Sequence, residues 1–364
     1  MDIKPAIPKA PGQKALILGP CSAESPEQLE TLAVQLPPIK PDLFRAGIWK
    51  PRTRPGHFQG MGEAAIPWLV DLRQQHGLRI CTEVATSHHV ELALKAGFDA
   101  LWIGARTTVN PFYVQEISDA LKGVDIPVLV KNPLNPDMFL WLGAIERIMH
   151  AGIYRIAAIH RGFSFYGNSI YRNVPRWQIP IELRRRMPAL QMIADISHIS
   201  GNPDHLLEIA QISYDLNYDG LMIEVHPDPL HALSDADQQV TPEFLKHQIL
   251  NRLVTRELNS SNEIYNKSIQ DMRRHIDAID EEIMDLLSKR MQLAERIGAR
   301  KRENRIAIFQ PDRWDQIVER LMEIGKREGL SDEFITSFIE AIHIESIQHQ
   351  SRKMNKQDVP DSVK

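Results

Sequence analysis

Two cysteines, Cys21 and Cys81, are the only thiols among 364 residues, and they form no Cys-x-x-Cys pair. That excludes a disulfide framework and sets the expectation of a reducing, cytoplasmic setting. No apolar run approaches the ~20 residues of a membrane span, and residues 1–14 lack the apolar core of a secretory signal. An excess of charge of one sign is also missing. The formal net charge is −4, from 43 basic and 47 acidic side chains, so nothing points to nucleic acid as a partner. No strand-like run leads into a Gly-x-Gly-x-x-Gly loop, the signature of a dinucleotide fold. Low-complexity tracts are absent too. The 43% hydrophobic content is that of an ordinary globular chain, long enough for two domains.

What is present is a rhythm. Short apolar runs recur at residues 15–19, 43–48, 79–84, 100–104, 127–130, 155–159, 191–194 and 220–223. Helical periodicity fills most of the intervals, as at 62–76, 87–96, 111–121, 137–150 and 202–213. Ser25-Pro26-Glu27 supplies an N-cap followed by proline at the first helical position. Eight strands alternating with helices over roughly 250 residues predict a (β/α)8 barrel. A doubly wound open sheet is the alternative.

A barrel collects its chemistry at the C-terminal ends of its strands. The last run, Leu221-Met222-Ile223, stops at Glu224 and enters a loop holding His226, His231, Asp235 and Asp237, where Pro227 and Pro229 rule out a helix. Taken alone, that loop fits a solvated turn as well as a divalent-metal site. The other strand ends carry matching groups. They are Cys21; Arg45 with Lys50 and Arg52; Glu83; Arg106; Lys131; Arg161; and Asp195 with His198. Two chemical sets emerge. Cys21, His198, Glu224 and Asp235 offer sulfur, nitrogen and oxygen ligands suited to Zn²⁺, Fe²⁺, Mn²⁺ or Co²⁺ rather than Ca²⁺. Arg45, Lys50, Arg52, Arg106, Lys131 and Arg161 are cations that need an anionic, phosphorylated substrate.

Gly19-Pro20-Cys21-Ser22, Lys50-Pro51-Arg52-Thr53, His57-Phe58-Gln59-Gly60, Ile103-Gly104-Ala105-Arg106, Val130-Lys131-Asn132-Pro133, His160-Arg161-Gly162, Asp195-Ile196-Ser197-His198, Glu224-Val225-His226-Pro227 and Leu233-Ser234-Asp235 occur in this order. Together they resemble the type Iβ 3-deoxy-D-arabino-heptulosonate 7-phosphate (DAHP) synthases, over residues 15–246. The Lys-Pro-Arg-Thr motif separates that family from related octulosonate and sialic acid synthases. Ile196 departs from the proline many members carry, away from any ligand. The resemblance implies Cys21, His198, Glu224 and Asp235 as ligands of a divalent metal (Mn, Co, Fe or Zn). It implies Arg45, Lys50, Arg106, Lys131 and Arg161 as binders of phosphoenolpyruvate, and Arg52 and Thr53 as binders of erythrose 4-phosphate. Lys131, His198 and Cys21 are then the catalytic residues, with Glu83 organising the cationic cluster or a water. A metal-dependent aldolase on the same barrel is the competing reaction class.

Periodicity changes near residue 258. The expected domains are a barrel over 1–258, a linker over 259–266, a helical domain over 267–353 and a polar tail over 354–364. Met272, Ile276, Ile279, Ile283, Leu286, Arg290, Leu293 and Ile297 alternate by four and three along one seam, predicting a single long helix with heptad character. Shorter helices are expected at 312–328 and 331–351. Arg290 lies on the seam itself, and a guanidinium buried there needs an anion. Lys301 returns to nearly the same face about 16 Å along the helix. Arg273 is about 25 Å from Arg290 and reaches the same ligand only from a second chain.

This stretch resembles the all-helical chorismate mutases over residues 269–351. Arg273, Arg290, Lys301, Arg313, Ser346 and Gln350 fall at that family's chorismate-binding positions, which makes Arg290, Lys301 and Gln350 its catalytic residues. Gln310 and Trp314 depart from the family's Asp and Glu. The combined expectation is a cytoplasmic, homodimeric enzyme of aromatic biosynthesis, dimerised through its helices. Mutase-site ligands (prephenate or chorismate) would feed back on the barrel. A helical domain that only dimerises or senses ligand is the alternative.

Overall fold

The computed structural model describes residues 3–51 and 56–355. It divides into two compact units, Met1–Leu258 and Asn259–Lys364. In the first, all strand pairs are parallel: β1 (Lys4–Pro5), β2 (Ala15–Gly19), β3 (Leu43–Arg45), β4 (Ile80–Val84), β5 (Ala100–Ile103), β6 (Val128–Lys131), β7 (Arg155–His160), β8 (Gln191–Asp195) and β9 (Gly220–Glu224). The ladder runs from β2 through β9 in sequence, and β2 pairs with β9 to close the barrel. The eight expected strands are these. Helices α1 (Pro26–Gln35), α2 (Ile66–His76), α3 (Ser87–Lys95), α4 (Pro111–Ala120), α5 (Met138–His150), α6 (Gln178–Arg186) and α7 (Leu206–Asp215) alternate with them. Ser25 caps α1 by accepting a hydrogen bond from the Gln28 amide, with Pro26 in the first turn as expected.

Alternation along each strand divides the apolar residues. Ile17, Leu43, Trp102, Leu129, Ile159, Ile193 and Met222 point inward and fill the barrel. Leu18, Phe44, Leu101, Val130, Ala158, Ala194 and Ile223 point outward against the helices. The additional strand β1 joins β7 at its start, and Ala6 and Ile7 behind it are buried in the barrel interior. The Gln191 side chain holds both backbone groups of Ile7, at 3.0 and 2.9 Å. A two-residue strand containing proline leaves no period to read, so sequence patterning passes over it.

The second expected strand, 43–48, is cut to Leu43–Arg45. Its chain peels away to bring the Gly47 amide onto the Cys21 carbonyl, 3.2 Å away. Gly19, at the end of β2, permits this crowding. It has φ +148°, and a Cβ there would lie 2.1 Å from the Arg45 carbonyl oxygen. Cys21 and Arg45 are thereby brought side by side.

The second unit contains α8 (Glu263–Glu303), α9 (Pro311–Arg327) and α10 (Asp332–Met354). Helix α8 begins inside the stretch read as linker, because Asn262 caps it by accepting from the Tyr265 amide. Helices α8 and α10 approach closely at Gly298, where a Cβ would meet the Gln350 Cα at 2.9 Å. Met291 and Ala294 of α8 and Ile335 and Ile339 of α10 are buried as well. The expected seam faces outward. Met272, Ile276, Ile279, Ile283, Leu286, Leu293 and Ile297 are all exposed, between 42% and 63%. Among the described residues no helix is long and apolar enough to cross a membrane.

Candidate active sites

The ends of β2 and β9 lie side by side, Gly19 in register with Glu224, and this pairing assembles a ligand cluster. Cys21, Glu224 and Asp235 each offer an atom within 4.8 Å of the others. The Cys21 thiol donates to Asp235 Oδ2 at 3.2 Å, and Lys50 Nζ lies 3.3 Å from the same sulfur. His198, the fourth expected ligand, stands beside the group rather than in it. Its Nδ1 is 2.9 Å from Asp195 and 3.9 Å from Glu224 Oε1. With Nδ1 on a carboxylate, Nε2 is the ring nitrogen left for a ligand, an orientation common in metal-binding histidines.

The donor set fits a divalent cation. Glu224 Oε1 is buried and accepts no hydrogen bond among the described residues; Arg45 Nη2 stands 3.0 Å from it as an ion pair, so it remains a carboxylate oxygen facing positive charge. Burial, reinforced by Glu224, pushes the Cys21 thiol up to about 12. Burial alone would raise Asp235 and Glu224 as well. His198 leads in holding both below the usual carboxylate range, helped by Arg172 at Asp235 and by Arg45 at Glu224. Two ionised carboxylates and a thiol in this space repel once the thiol deprotonates, and a transition-metal ion relieves that repulsion.

Around this cluster the expected cations fall into two kinds. Arg45 and Lys131 are buried and already paired, Arg45 Nη2 with Glu224 at 3.0 Å and Lys131 with Asp195 at 2.7 Å. Both stand over the Trp102 ring, at 5.0 and 5.7 Å from its centre. Burial works against ionising Asp195, but His198 and Lys131 hold it well below its ordinary value. Arg45 keeps Nε and Nη1 buried without hydrogen-bond partners among the described residues, donor nitrogens still to be satisfied. Arg161 is buried against a neutral group, its Nη1 donating to Asn173 Oδ1 at 2.6 Å, and burial pushes it down to about 10. Arg106 is exposed and Lys50 half-buried. Arg52 and Thr53 lie outside the described residues. Glu83 accepts from the Trp102 indole at 3.2 Å, which fixes the ring under the two cations.

Several participants carry no strand-end signal. Arg172 grips Asp235 with two nitrogens at 3.1 Å each. Gln238 donates to Glu224 Oε2 at 2.5 Å, and Gln239 accepts from the Cys21 amide at 2.9 Å. Trp102 sits in the middle of β5, where only its inward register marks it.

In the helical unit Arg290 Nη1 and Gln350 Oε1 are buried without hydrogen-bond partners among the described residues, and Gln350 Nε2 lies 3.4 Å from Ser346 Oγ. Burial lowers Arg290 and Lys301 from their ordinary values. Lys301 Nζ donates to the Ile308 carbonyl at 2.5 Å, and Arg313 donates to Gln316. Trp314 lies against His343, ring centres 4.1 Å apart. Burial and then the charge of Arg290 push that imidazole toward its neutral form. Arg273 is exposed.

Residues 4–260 match the family model described as the DAHP synthetase I family, and residues 272–351 match chorismate mutase type II. The chain is 28% identical over 238 residues to the phospho-2-dehydro-3-deoxyheptonate aldolase of Thermotoga maritima, covering 65% of this chain and 68% of that protein. It is also 28% identical over 269 residues to a 2-dehydro-3-deoxyphosphooctonate aldolase of Helicobacter pylori, covering 65% of this chain and 94% of the relative. The crystal structure of the Thermotoga maritima DAHP synthase superposes with a TM-score of 0.57 at 26% identity, over 74% of this chain and 71% of that one.

The Lys131–Asp195 pair gives a direct test of the buried electrostatics. Lys131→Met leaves a buried carboxylate short of its cation and is expected to lower unfolding stability by about 3–5 kcal/mol in urea titration. Adding Asp195→Asn should recover part of the loss. An unchanged midpoint in the single variant would contradict the pairing.

Proposed function

This chain belongs to the DAHP synthetase I family, and we propose that its barrel is a metal-dependent condensing enzyme regulated by ligands of its helical unit. The two matched families make the chain a bifunctional shikimate-pathway enzyme. The barrel condenses phosphoenolpyruvate with erythrose 4-phosphate to DAHP and phosphate, and the helical unit isomerises chorismate to prephenate. The observation that carries the metal-dependent reading is the Cys21–Glu224–Asp235 group, with Cys21 and Glu224 buried, Asp235 half-buried, and one ligand atom from each within 4.8 Å of the others.

Cys21, Glu224, Asp235 and the Nε2 of His198 would hold the ion. When bound, a divalent metal supplies Lewis-acid polarisation of the aldehyde oxygen. Arg161 and Arg106, with Lys50, offer charge to the phosphate and carboxylate of phosphoenolpyruvate, and Arg45 offers its two open donors. Arg52 and Thr53 are the proposed partners of erythrose 4-phosphate. Lys131, fixed by Asp195 over Trp102, is positioned to donate a proton as C3 of phosphoenolpyruvate attacks the aldehyde, water adds at C2 and phosphate departs. Holding two polyanions in reacting geometry is the main requirement, and the cations offset their repulsion.

For the helical unit we propose a homodimer packed along the exposed seam, with Arg273 of each chain completing the partner's site. The seven exposed apolar residues of the seam support this, as does the open Nη1 of Arg290. Arg290, Lys301, Arg313, Ser346 and Gln350 would clamp the chorismate carboxylates and ether oxygen, and electrostatic clamping is what a unimolecular rearrangement requires. Feedback by prephenate or chorismate acts by differential binding to two states of the enzyme.

Phosphate release from the two sugar-pathway substrates should vanish in thorough chelator and return with a divalent transition metal. The return should demand more metal at lower pH, because Cys21 must shed its proton to ligate. Full activity in chelator would end the metal reading. Mixing an inactive Arg273→Ala chain with an inactive Arg290→Ala chain should restore mutase activity, up to about a quarter of wild type, since one site of each mixed dimer keeps both arginines. No recovery after verified subunit exchange rejects shared sites. Prephenate or chorismate should slow phosphate release in the full chain and do so far less in Arg290→Ala. Equal inhibition of both chains would place the regulatory site elsewhere.

A further inference from the structure

The loop after β7 carries a dipeptide, Arg172-Asn173, whose two side chains reach the two halves of the barrel site. The Arg172 guanidinium places Nη1 and Nη2 each 3.1 Å from Asp235 Oδ1. Nη1 also donates to Gln238 Oε1, and Gln238 passes the contact on to Glu224 Oε2 at 2.5 Å. The neighbouring Asn173 accepts from Arg161 Nη1 at 2.6 Å and donates to the His198 carbonyl at 2.6 Å. Two adjacent residues therefore touch Asp235 and His198, reach Glu224 through one amide, and hold the cation proposed for phosphate.

The backbone of the dipeptide is fixed as firmly as its side chains. The Arg172 and Asn173 amides donate to the Ser200 and Ile199 carbonyls at 3.1 and 3.2 Å, and Val174 exchanges hydrogen bonds with Phe163 at 3.0 and 2.9 Å. Gly162 and Gly201 make room for it. Both have positive φ, and a Cβ on them would lie 2.5 Å from the Asn173 carbonyl oxygen and 2.4 Å from Arg172 Cβ. Asp235 sits at φ 48°, ψ 42°, in the left-handed region that aspartate enters more readily than most residues. The Arg172 side chain is 45% exposed, so its removal leaves no buried cavity.

We propose that Arg172-Asn173 is a positioning unit that sets the direction of the metal ligands and couples metal binding to phosphoenolpyruvate binding at Arg161. The proposal rests on the metal-dependent reading above. Neither residue ligates the ion. Arg172 aims Asp235 and, through Gln238, Glu224. Asn173 ties the Arg161 guanidinium to the backbone of His198. Coupling of this kind is reciprocal, since phosphoenolpyruvate changes metal affinity by the factor by which metal changes phosphoenolpyruvate affinity.

The test is a metal titration of the chelated full-length protein with Mn²⁺ or Zn²⁺ against a fluorescent chelator, with and without phosphoenolpyruvate. Thermal melting is followed in parallel. Arg172→Gln should bind metal about 10–100-fold more weakly with its melting temperature kept, and Arg172→Lys should recover part of the loss. Asn173→Ala should raise the KM for phosphoenolpyruvate and abolish the change in metal affinity that phosphoenolpyruvate causes in the wild type. The proposal is overturned by wild-type metal affinity in Arg172→Gln, or by coupling that survives in Asn173→Ala. It is equally overturned if lost affinity tracks lost melting temperature in both Arg172 variants. A wild-type protein that binds no metal would instead overturn the underlying metal-dependent reading, and this proposal with it.

Discussion

Buried charge must be paired, and that requirement organises the top of this barrel. Arg45, Lys131, Asp195 and Glu224 lie at the C-terminal ends of the parallel strands β3, β6, β8 and β9 with almost no solvent contact. An isolated ion there would cost several kcal/mol of desolvation, so each has to find an opposite charge within hydrogen-bonding range. Arg45 with Glu224 and Lys131 with Asp195 are the solutions, and Trp102 provides a π face beneath both cations. The ladder makes the pairs possible. Parallel register brings Gly19 beside Glu224, and Gly19 is the residue that lets the Arg45 backbone come close. The site is thus a consequence of closing the barrel, with its floor set by the same inward residues that fill the interior.

Much of this is legible in the chain before folding. Eight apolar runs, each ending in a thiol or an ionisable group, state the barrel and the level at which its chemistry sits, because parallel strands align their ends. The α8 seam reads equally well, because a 3.5-residue repeat needs no tertiary information. What the sequence conceals is pairing across loops. Arg45 reads as one substrate cation among six, whereas in the fold one of its nitrogens is committed to Glu224. Asp195 reads as an ordinary acid before a histidine, yet it serves Lys131 and His198 together. Arg172, Asn173 and Gln238 belong to loops without periodicity. Their partners lie between 12 and 66 residues away, so no local pattern marks them.

The helical unit presents the opposite problem, apolar surface without cover. Seven large aliphatic residues along one face of a 41-residue helix are exposed in a single chain. An apolar stripe of that length, interrupted by Arg290, is characteristic of a surface that meets a partner. Interior glycines point the same way. Gly298 and Gly325 are poor helix formers, and each lies where a Cβ would collide with α10, at Gln350 and Ile335 respectively. The chain has given up helix propensity to bring α8, α9 and α10 together, while the long seam stays exposed.

The cations of the two units differ in how their charge is balanced, and this difference separates structural from ligand-facing roles. Arg45 and Lys131 are neutralised within the fold, so what they offer a ligand is direction: open N–H donors on a guanidinium already fixed by Glu224, and an ammonium fixed by Asp195. Arg161 and Arg290 are different. Arg161 leans on a neutral amide, and Arg290 has an open nitrogen with no carboxylate paired to it among the described residues. Burial depresses both, offset only in part at Arg161 by the charge of Asp195. A guanidinium held that way gains most when an anion arrives, because the anion removes a desolvation cost the fold has left standing. Pre-oriented donors and incompletely compensated charge are separate properties, and the barrel site has both within a few side chains of the Cys21–Glu224–Asp235 group. That combination suits a reaction in which a phosphorylated enol must be held still while its partner aldehyde is activated beside it.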